Sequence, residues 1–248
     1  MNRFAIALPL IAALGIAACS DGVDPQDSTE LEGPTTDGEA AALANAIEPG
    51  DFMDLQLGAK IVGPQGPTPS GAMTNAEGAF ADITSYVACP AGMDPCDPKT
   101  APAGTVYTYV HTIYPGEDND PTTGSGSGND SSDVERAEYF RLTAPAHGFT
   151  GAAGYSKLEA QAAAGLSVDV VITCDMVDGG GALVWTVNAG DGGDQWAQAE
   201  PLTFYWQTTL PPAGPATNYA IRANAAVATG PGPYPAAKEG VRNACDAA

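Results

Sequence analysis

An acidic, glycine-rich loop is the first candidate for metal chemistry. Residues 116–133 read G-E-D-N-D-P-T-T-G-S-G-S-G-N-D-S-S-D and contain no basic residue. Oxygen donors at this density suit Ca²⁺, which takes six to eight oxygen ligands. The candidate ligands are the carboxylates of Asp118, Asp120, Asp130 and Asp133. The EF-hand template fails, because Thr123 stands where it needs Gly and Asn129 where it needs Glu. The Gly-Ser centre is typical of a flexible linker, so we favour a mobile hairpin loop and keep calcium as the alternative.

A second acidic zone follows between residues 175 and 194, which contain D-M-V-D-G-G-G and N-A-G-D-G-G-D. Asp-Gly pairs favour tight hairpin turns, and each Gly supplies backbone freedom that a turn needs. We therefore predict two turns on either side of a strand at 182–188. Calcium held jointly by the carboxylates of this zone is the alternative, with these ligands: Asp175, Asp178, Asp191 and Asp194.

Aromatic side chains indicate a possible ligand surface. Side chains alternate between the two faces of a strand, which places Trp185 beside Leu183 and Val187, and Trp206 beside Phe204, on core-facing sides. The remaining tryptophan, Trp196, lies in the loop G-D-Q-W-A-Q and is expected to be exposed, while Tyr205 projects from the outer face of its strand. Aromatic rings on loops often mark binding sites. We therefore predict a ligand-binding patch of Trp196 and Tyr205, suited to stacking on a sugar.

Catalytic motifs are absent from the sequence. It contains no H-E-x-x-H, no Walker loop and no G-x-S-x-G. A Ser-His-Asp triad would need His111 or His147. His111 lies in an alternating strand on the same face as Tyr109, and His147 precedes Gly148 in a turn. We therefore favour a protein that is not an enzyme. Two of the 30 acidic residues could still meet as a glycosidase pair, so a glycan hydrolase stays open.

Four cysteines other than Cys19 predict two disulfides in an oxidising compartment. We favour Cys89–Cys96, because Pro90 and Pro95 bend the short loop between them, and Cys174–Cys245, which ties a strand to the C-terminus. The alternative, a structural zinc site, is disfavoured because the chain has no C-x-x-C and only two histidines.

The charge of the chain excludes one class of partner. Nine basic residues against 30 acidic ones give a net charge of −21 over 248 residues. Such a chain repels phosphate, which rules out a nucleic-acid binder that works through a basic surface. Between Leu158 and Ile221 there are seven acidic residues and no Lys or Arg. We therefore predict that added salt stabilises the domain by screening this self-repulsion.

The first twenty residues have the organisation of a secretory signal. Arg3 is the only charge, and an apolar core follows from position 4 to position 18, shorter than the roughly 20 residues that a membrane span needs. The core ends in Ile16-Ala17-Ala18-Cys19, which resembles the lipobox of bacterial lipoproteins. The resemblance covers only the signal. It implies cleavage before Cys19 and lipidation of that residue.

The same resemblance implies a location and a partner. Buried acyl methylenes contribute about 0.8 kcal/mol each, so two or three chains hold a soluble domain on a membrane. Ser20 follows Cys19 in place of Asp, a pattern similar to that of outer-membrane lipoproteins. We therefore expect a cell-envelope protein, anchored to the outer membrane, whose further partners would be a glycan or protein ligand in the envelope. No resident cofactor is predicted apart from the calcium alternative.

The elements that must position these residues divide the chain into three parts. Residues 1–18 form the signal, and residues 19–38 form a flexible acidic tether with almost no apolar residues. Residues 39–248 form the folded domain. It opens with a predicted short helix at 39–47, which a capping box of Thr36 and Glu39 would start. A second helix is predicted at 155–164 between Ser156 and Gly165.

The rest of the domain has the pattern of strands. Runs rich in β-branched and aromatic residues are separated by Gly, Pro and Asp clusters. The predicted strands lie at 51–62, 105–114, 134–143, 166–174, 182–188, 202–210 and 219–228. We therefore predict an all-β fold, a single antiparallel β-sandwich with one or two short helices. The favoured function is a binding or structural module on a membrane anchor, and the alternative is an envelope hydrolase that acts on glycans.

Overall fold

The domain is all-β, as predicted. The computed structural model describes residues 46–61, 70–76, 78–116, 134–190 and 192–246. Within these ranges the strands are β1 (Gly50–Asp51), β2 (Leu57–Lys60), β3 (Gly71–Asn75), β4 (Gly78–Pro90), β5 (Tyr107–Pro115), β6 (Ala137–Leu142), β7 (Phe149–Tyr155), β8 (Asp169–Val177), β9 (Gly180–Asn188), β10 (Leu202–Thr208), β11 (Pro212–Ala223) and β12 (Ala226–Pro235). One α-helix, α1 (Lys157–Ala164), and one 3-10 turn, Phe52–Asp54, accompany them.

Hydrogen bonds join these strands into one sheet. The strand order is β1-β7-β10-β5-β4-β3-β12-β11-β6-β9-β8, and β2 pairs with β4 beside this path. The sheet curls so that its two halves face each other across the core. Phe140 on β6 stacks on Phe204 of β10 with 5.0 Å between ring centroids, and the Trp185 Nε1–H of β9 donates to the Gly154 carbonyl oxygen of β7 at 3.1 Å.

The segment 47–51 joins the two ends of the strand order. The Ile47 N–H donates to the Ile172 carbonyl oxygen of β8 at 2.8 Å, and Gly50 pairs in parallel with Gly154 of β7. The approach at this point is close, because a Cβ on Gly154 would overlap the Gly50 carbonyl oxygen. Glycine is therefore required here for packing rather than for a special backbone angle.

The helix has the predicted cap at Ser156 and the predicted end before Gly165, but it begins at Lys157 rather than at 155. The Ser156 hydroxyl accepts from the Glu159 N–H at 3.3 Å, and Gly165 ends the helix with φ of +89°. The capping box is only half formed, because the Glu159 carboxylate accepts from the Thr203 N–H at 2.7 Å and does not return to Ser156. Glu159 thereby ties α1 to β10.

The predicted strand at 219–228 is wrong as a single element. The chain reverses at Asn224 and Ala225, which have φ of +49° and +64°, so β11 and β12 form a hairpin with Ala223 opposite Ala226. A two-residue turn of type I′ needs positive φ at both positions, and Asn tolerates it better than most residues. Because the turn contains no Gly, no turn signal is present in the sequence at this position.

Two further differences concern the start of the domain. The strand predicted at 51–62 is divided into β1, the 3-10 turn and β2, because the Asp51 carboxylate accepts from the Met53 N–H at 3.1 Å and starts the turn. Of the helix predicted at 39–47, residues 39–45 lie outside the described ranges. Its last residue, Ile47, is in an extended bridge with Ile172, so the prediction is wrong at that end.

Candidate functional site

Both predicted disulfides are confirmed. Cys89 at the end of β4 is bonded to Cys96, with Cα atoms 5.6 Å apart. Cys174 on β8 is bonded to Cys245, with Cα atoms 5.5 Å apart and a sequence separation of 71. The second bond holds the C-terminal tail on the sheet. Gly181 allows the approach, because a Cβ there would overlap the backbone nitrogen of Cys245.

The first acidic loop lies outside the described ranges, and with it the four predicted calcium ligands, Asp118, Asp120, Asp130 and Asp133. The second zone is partly described. Asp178 and Gly179 form the predicted two-residue turn between β8 and β9, with φ of +46° and +77°. The Asp175 carboxylate lies 3.4 Å from the Arg141 guanidinium. In the part of the chain that the structure covers, no three His, Cys, Asp or Glu side chains are grouped to hold a metal ion.

The predicted exposure of Trp196 is wrong. The residue is 1% exposed and meets Phe204 edge to face at 5.8 Å between ring centroids. Its Nε1–H donates to the Glu200 carbonyl oxygen at 2.8 Å. The loop folds inward because the large ring buries its apolar body while its one polar atom finds a backbone partner. Trp196 therefore presents no face to a ligand in this structure.

Tyr205 projects from the outer face of β10, as predicted, but it is only 4% exposed. The segment that joins the two ends of the sheet covers it. The Tyr205 hydroxyl lies against Gly50, and Phe52 of the 3-10 turn contacts the tyrosine ring with 6.4 Å between centroids. Burial and the nearby Asp51 and Asp54 carboxylates raise the pKa of Tyr205. The structure therefore does not bring Trp196 and Tyr205 together as an exposed pair.

The core holds a serine–histidine pair that sequence reasoning missed. Ser85 on β4 stands directly opposite His111 on β5, and its Oγ lies 2.8 Å from His111 Nδ1. His111 is completely buried and packs against the rings of Phe140 and Tyr219 at 5.7 and 4.2 Å between centroids. Its Nε2 has no hydrogen-bond partner among the described residues. The register of β4 against β5 brings the two residues together, and no motif in the sequence indicates the pair.

The hydrogen bond between Ser85 Oγ and His111 Nδ1 is the contact that a nucleophile makes with its general base. The surroundings of the pair, however, are those of a buried core rather than of an accessible active site. Burial lowers the pKa of His111 from 6.5 to about 3, because the charged imidazolium would lose its hydration. The Ser85 side chain is 3% exposed, so substrate has no route to its oxygen in this conformation. The second histidine, His147, bonds through Nδ1 to the Asn243 side-chain oxygen at 2.9 Å. In this structure His111 is therefore a buried partner of Ser85, and His147 links its turn to the C-terminal segment through Asn243.

Buried tyrosines complete the polar part of the core. The Tyr219 hydroxyl donates to the Pro233 carbonyl oxygen at 2.5 Å. The Tyr234 hydroxyl lies 2.7 Å from the carbonyl oxygens of both Ala144 and Pro145. Burial raises the pKa of Tyr219 and of Tyr234 well above the ordinary value. These hydroxyls therefore stay protonated at physiological pH and donate to backbone carbonyl oxygens.

An accessible site lies beside the helix. A groove of about 240 Å³ is formed between α1 and the segment that leads into β10. Its walls are these side chains: Glu159, Ala162, Ala163, Ala199, Glu200 and Pro201. Four of the six are apolar, and the two polar ones are carboxylates. Sequence reasoning missed this site, because residues 159 and 200 are brought together only by the docking of α1 on β10.

Both carboxylates in the groove are held in place by backbone amides. One oxygen of Glu159 accepts from the Thr203 N–H at 2.7 Å, and one oxygen of Glu200 accepts from the Ala197 N–H at 2.8 Å. Ala199, which lines the groove and precedes Glu200 in the chain, has φ of +66°, which costs a residue other than glycine about 1–2 kcal/mol. The site is therefore preorganised, and a cationic or hydroxylated ligand would find its acceptors already oriented.

No helix of the described residues is long and apolar enough to cross a membrane. Comparison with known proteins yields no match to any family model, curated protein or solved structure.

Proposed function

We propose that this protein is a lipid-anchored cell-envelope protein whose β domain is a binding module. The observation that carries the anchor is the placement of Ile16-Ala17-Ala18-Cys19 at the end of a charge-free apolar core. A diacylated or triacylated Cys19 would hold the domain on a membrane. The acidic residues that follow would keep the domain and the anionic surface apart.

Two features of the folded domain support this proposal. Its two disulfides, Cys89–Cys96 and Cys174–Cys245, suit an oxidising compartment such as the bacterial periplasm or cell surface. The groove beside α1 offers two oriented carboxylates on an apolar wall, which is the usual composition of a small-ligand site. The buried Ser85–His111 pair lacks access from solvent, which favours binding over catalysis.

The anchor is tested by detergent partitioning of the full-length protein expressed in a bacterium. The wild-type protein should enter the detergent phase. Cys19→Ala should stay unprocessed or enter the aqueous phase, because the acyl chains would have no thiol to attach to. Ser20→Ala, which changes the next residue and keeps the thiol, is the matched control and should partition like the wild type. Equal partitioning of all three proteins would contradict the proposal.

The destination is tested separately. An outer-membrane location rests on Ser20 in the position where Asp directs retention in the inner membrane by the resemblance stated above. We expect the wild-type protein in outer-membrane fractions of a sucrose gradient and Ser20→Asp in inner-membrane fractions. A wild-type protein that fractionates with the inner membrane would overturn this part of the proposal without affecting the anchor.

An envelope glycan hydrolase is the second candidate, because Glu159 and Glu200 line one groove and glycosidases act through two carboxyl groups. Incubation with purified envelope glycans should then release sugars. Glu159→Gln and Glu200→Gln should each remove this activity, since the amide neither takes up nor donates the proton. Glu239→Gln, at an exposed position in the C-terminal segment, is the control. Activity that survives both substitutions would exclude this pair.

A further inference from the structure

The groove beside α1 is small. Its volume of about 240 Å³ is below the roughly 300 Å³ at which pockets for drug-sized ligands begin. A single amino-acid side chain or a small organic molecule fits this volume. An extended oligosaccharide would have most of its length outside.

The carboxylates of the groove lack a cation among the described residues. The ion pairs in these ranges join Arg136 and Arg222 to Glu138, and Arg141 to Asp175. Lys157 is two positions from Glu159 on α1, a spacing at which side chains do not face each other, and the next basic residue along the chain is Arg222. Glu159 and Glu200 are both half-buried, and the hydrogen bonds that their carboxylates accept come from backbone N–H groups.

The apolar wall limits the kind of cation. Ala163 is buried, and Ala162 and Pro201 face the groove from the helix and from the strand entrance. A metal aqua ion would gain nothing from these methyl and methylene groups. An aliphatic stem would bury its own apolar surface there, at roughly 25 cal/mol per Å². The site therefore favours a cation that has an apolar body.

We propose that this groove binds a protonated alkylamine, with the stem on Ala162 and Pro201 and the ammonium group near Glu159 and Glu200. An ammonium has three donors and no acceptor, and the two carboxylates offer acceptors only. The amine could belong to a free small molecule or to a lysine side chain of an envelope protein. This inference rests on the proposed binding function and names the ligand class. It does not depend on the lipid anchor.

The test is a titration of full-length protein, in deuterated detergent, with n-butylammonium chloride, followed by ligand-observed saturation-transfer NMR. n-Butanol, which keeps the stem, and butyrate, which reverses the charge, are the matched probes at equal ionic strength. We expect saturable binding of n-butylammonium and little of the other two. A capped Gly-Lys-Gly peptide tests the protein source: tighter binding of the peptide than of the free amine would assign the groove to a lysine side chain, and weaker binding to a free amine.

Variants locate the binding. Ala162→Leu should abolish it, because the larger side chain fills the groove at an exposed helical position that tolerates leucine. Glu200→Gln should weaken it about two- to fivefold, the effect expected of a half-exposed ion pair. Glu239→Gln should leave it unchanged. Equal binding of butyrate, or binding unaffected by Ala162→Leu, would overturn the inference.

A further probe separates this inference from the proposed function. N-acetylglucosamine is titrated in the same experiment. If it binds in an Ala162-dependent way and n-butylammonium does not, the amine inference is wrong and the binding function stands. If neither probe nor the lysine peptide binds, both the inference and the use of this groove as a binding site are wrong.

Discussion

Acid should destabilise this domain through a single buried histidine. His111 is fully buried, bonded at Nδ1 to Ser85 and packed against aromatic rings. Its imidazole is therefore neutral in the folded protein, with the pKa lowered from 6.5 to about 3 by the loss of hydration. In the unfolded chain the His111 imidazole becomes protonated as the pH falls through 6.5, whereas in the folded chain it stays neutral down to about pH 3. The stability that the folded protein gains by keeping His111 neutral is fully present above pH 6.5 and is lost as the pH falls toward 3.

The magnitude follows from the difference between the two pKa values. At about 1.36 kcal/mol per unit, the shift from 6.5 to about 3 corresponds to roughly 5 kcal/mol over the whole window. Between pH 6.5 and pH 5, where carboxylates still contribute little, the loss should be on the order of 2 kcal/mol. Single domains have an unfolding free energy of about 5–15 kcal/mol, so this loss should be easy to measure.

The assay is urea unfolding, followed by tryptophan fluorescence at intervals from pH 7.5 to pH 5. The wild-type protein and His147→Gln, the variant of the only other histidine, should both lose about 2 kcal/mol below pH 6.5. His111→Gln should be less stable at pH 7.5 but should show little slope over this interval. A His111→Gln protein with the wild-type slope would refute the reasoning. If that variant does not fold, a wild-type His111 imidazole resonance that titrates near pH 6.5 would refute it equally.

Three further predictions concern a close strand contact, a helix cap and the disulfides. Gly154→Ala should lower the unfolding free energy by roughly 1–3 kcal/mol, because the new methyl group overlaps the Gly50 carbonyl oxygen; an unchanged melting temperature would contradict the close approach of β1 and β7. Ser156→Ala should cost about 1 kcal/mol through loss of the helix cap, and Ser156→Thr should recover most of it; equal stabilities of both variants would contradict a capping role. Replacement of both Cys174 and Cys245 by Ala should cost roughly 4 kcal/mol, more than removal of the shorter disulfide, because the loop it closes is longer; the reverse order in chemical denaturation would show that loop entropy does not dominate.

Local signals in the sequence predicted the elements that depend on local chemistry. Strand β5, the cap at Ser156, the Asp178-Gly179 turn and both disulfides are present in the structure, although β5 is buried on both faces at residues 107–111 and does not alternate there. Strands β3, β4 and β7 were not predicted. β3 and β7 are rich in Ala and Gly, which have low intrinsic β-propensity. All three strands pair with neighbouring strands in the structure.

Local sequence patterns also did not predict the candidate site, because contacts between segments determine which of its residues are exposed. The residues that cover Tyr205, Gly50 and Phe52, come from a distant segment. Trp196 is buried against Glu200 and Phe204, which follow it by four and eight residues, through a fold of the loop that no sequence pattern indicates. Face assignment by alternation was correct for Tyr205 but did not show that another segment crosses that face. The groove beside α1 likewise depends on the docking of a helix on β10, which no spacing in the sequence records.

The contacts that dock α1 on β10 affect how substitutions in the groove should be interpreted. Glu159 combines two roles, since its N–H bonds to the Ser156 hydroxyl and its carboxylate accepts from Thr203. A substitution there changes helix docking as well as groove charge. The Glu200 carboxylate likewise accepts from the Ala197 N–H, so the exposed Ala162 is the better position for separating ligand binding from stability.

The central claim, that Cys19 is the lipidated first residue of the mature protein, is tested most directly by intact-mass spectrometry of protein purified from bacterial membranes. We predict a polypeptide that begins at Cys19 and is heavier than its sequence by a diacylglyceryl group, or by that group and one further acyl chain. A mature protein cleaved at another position, or one that begins at Cys19 with the mass of the bare polypeptide, would contradict the account.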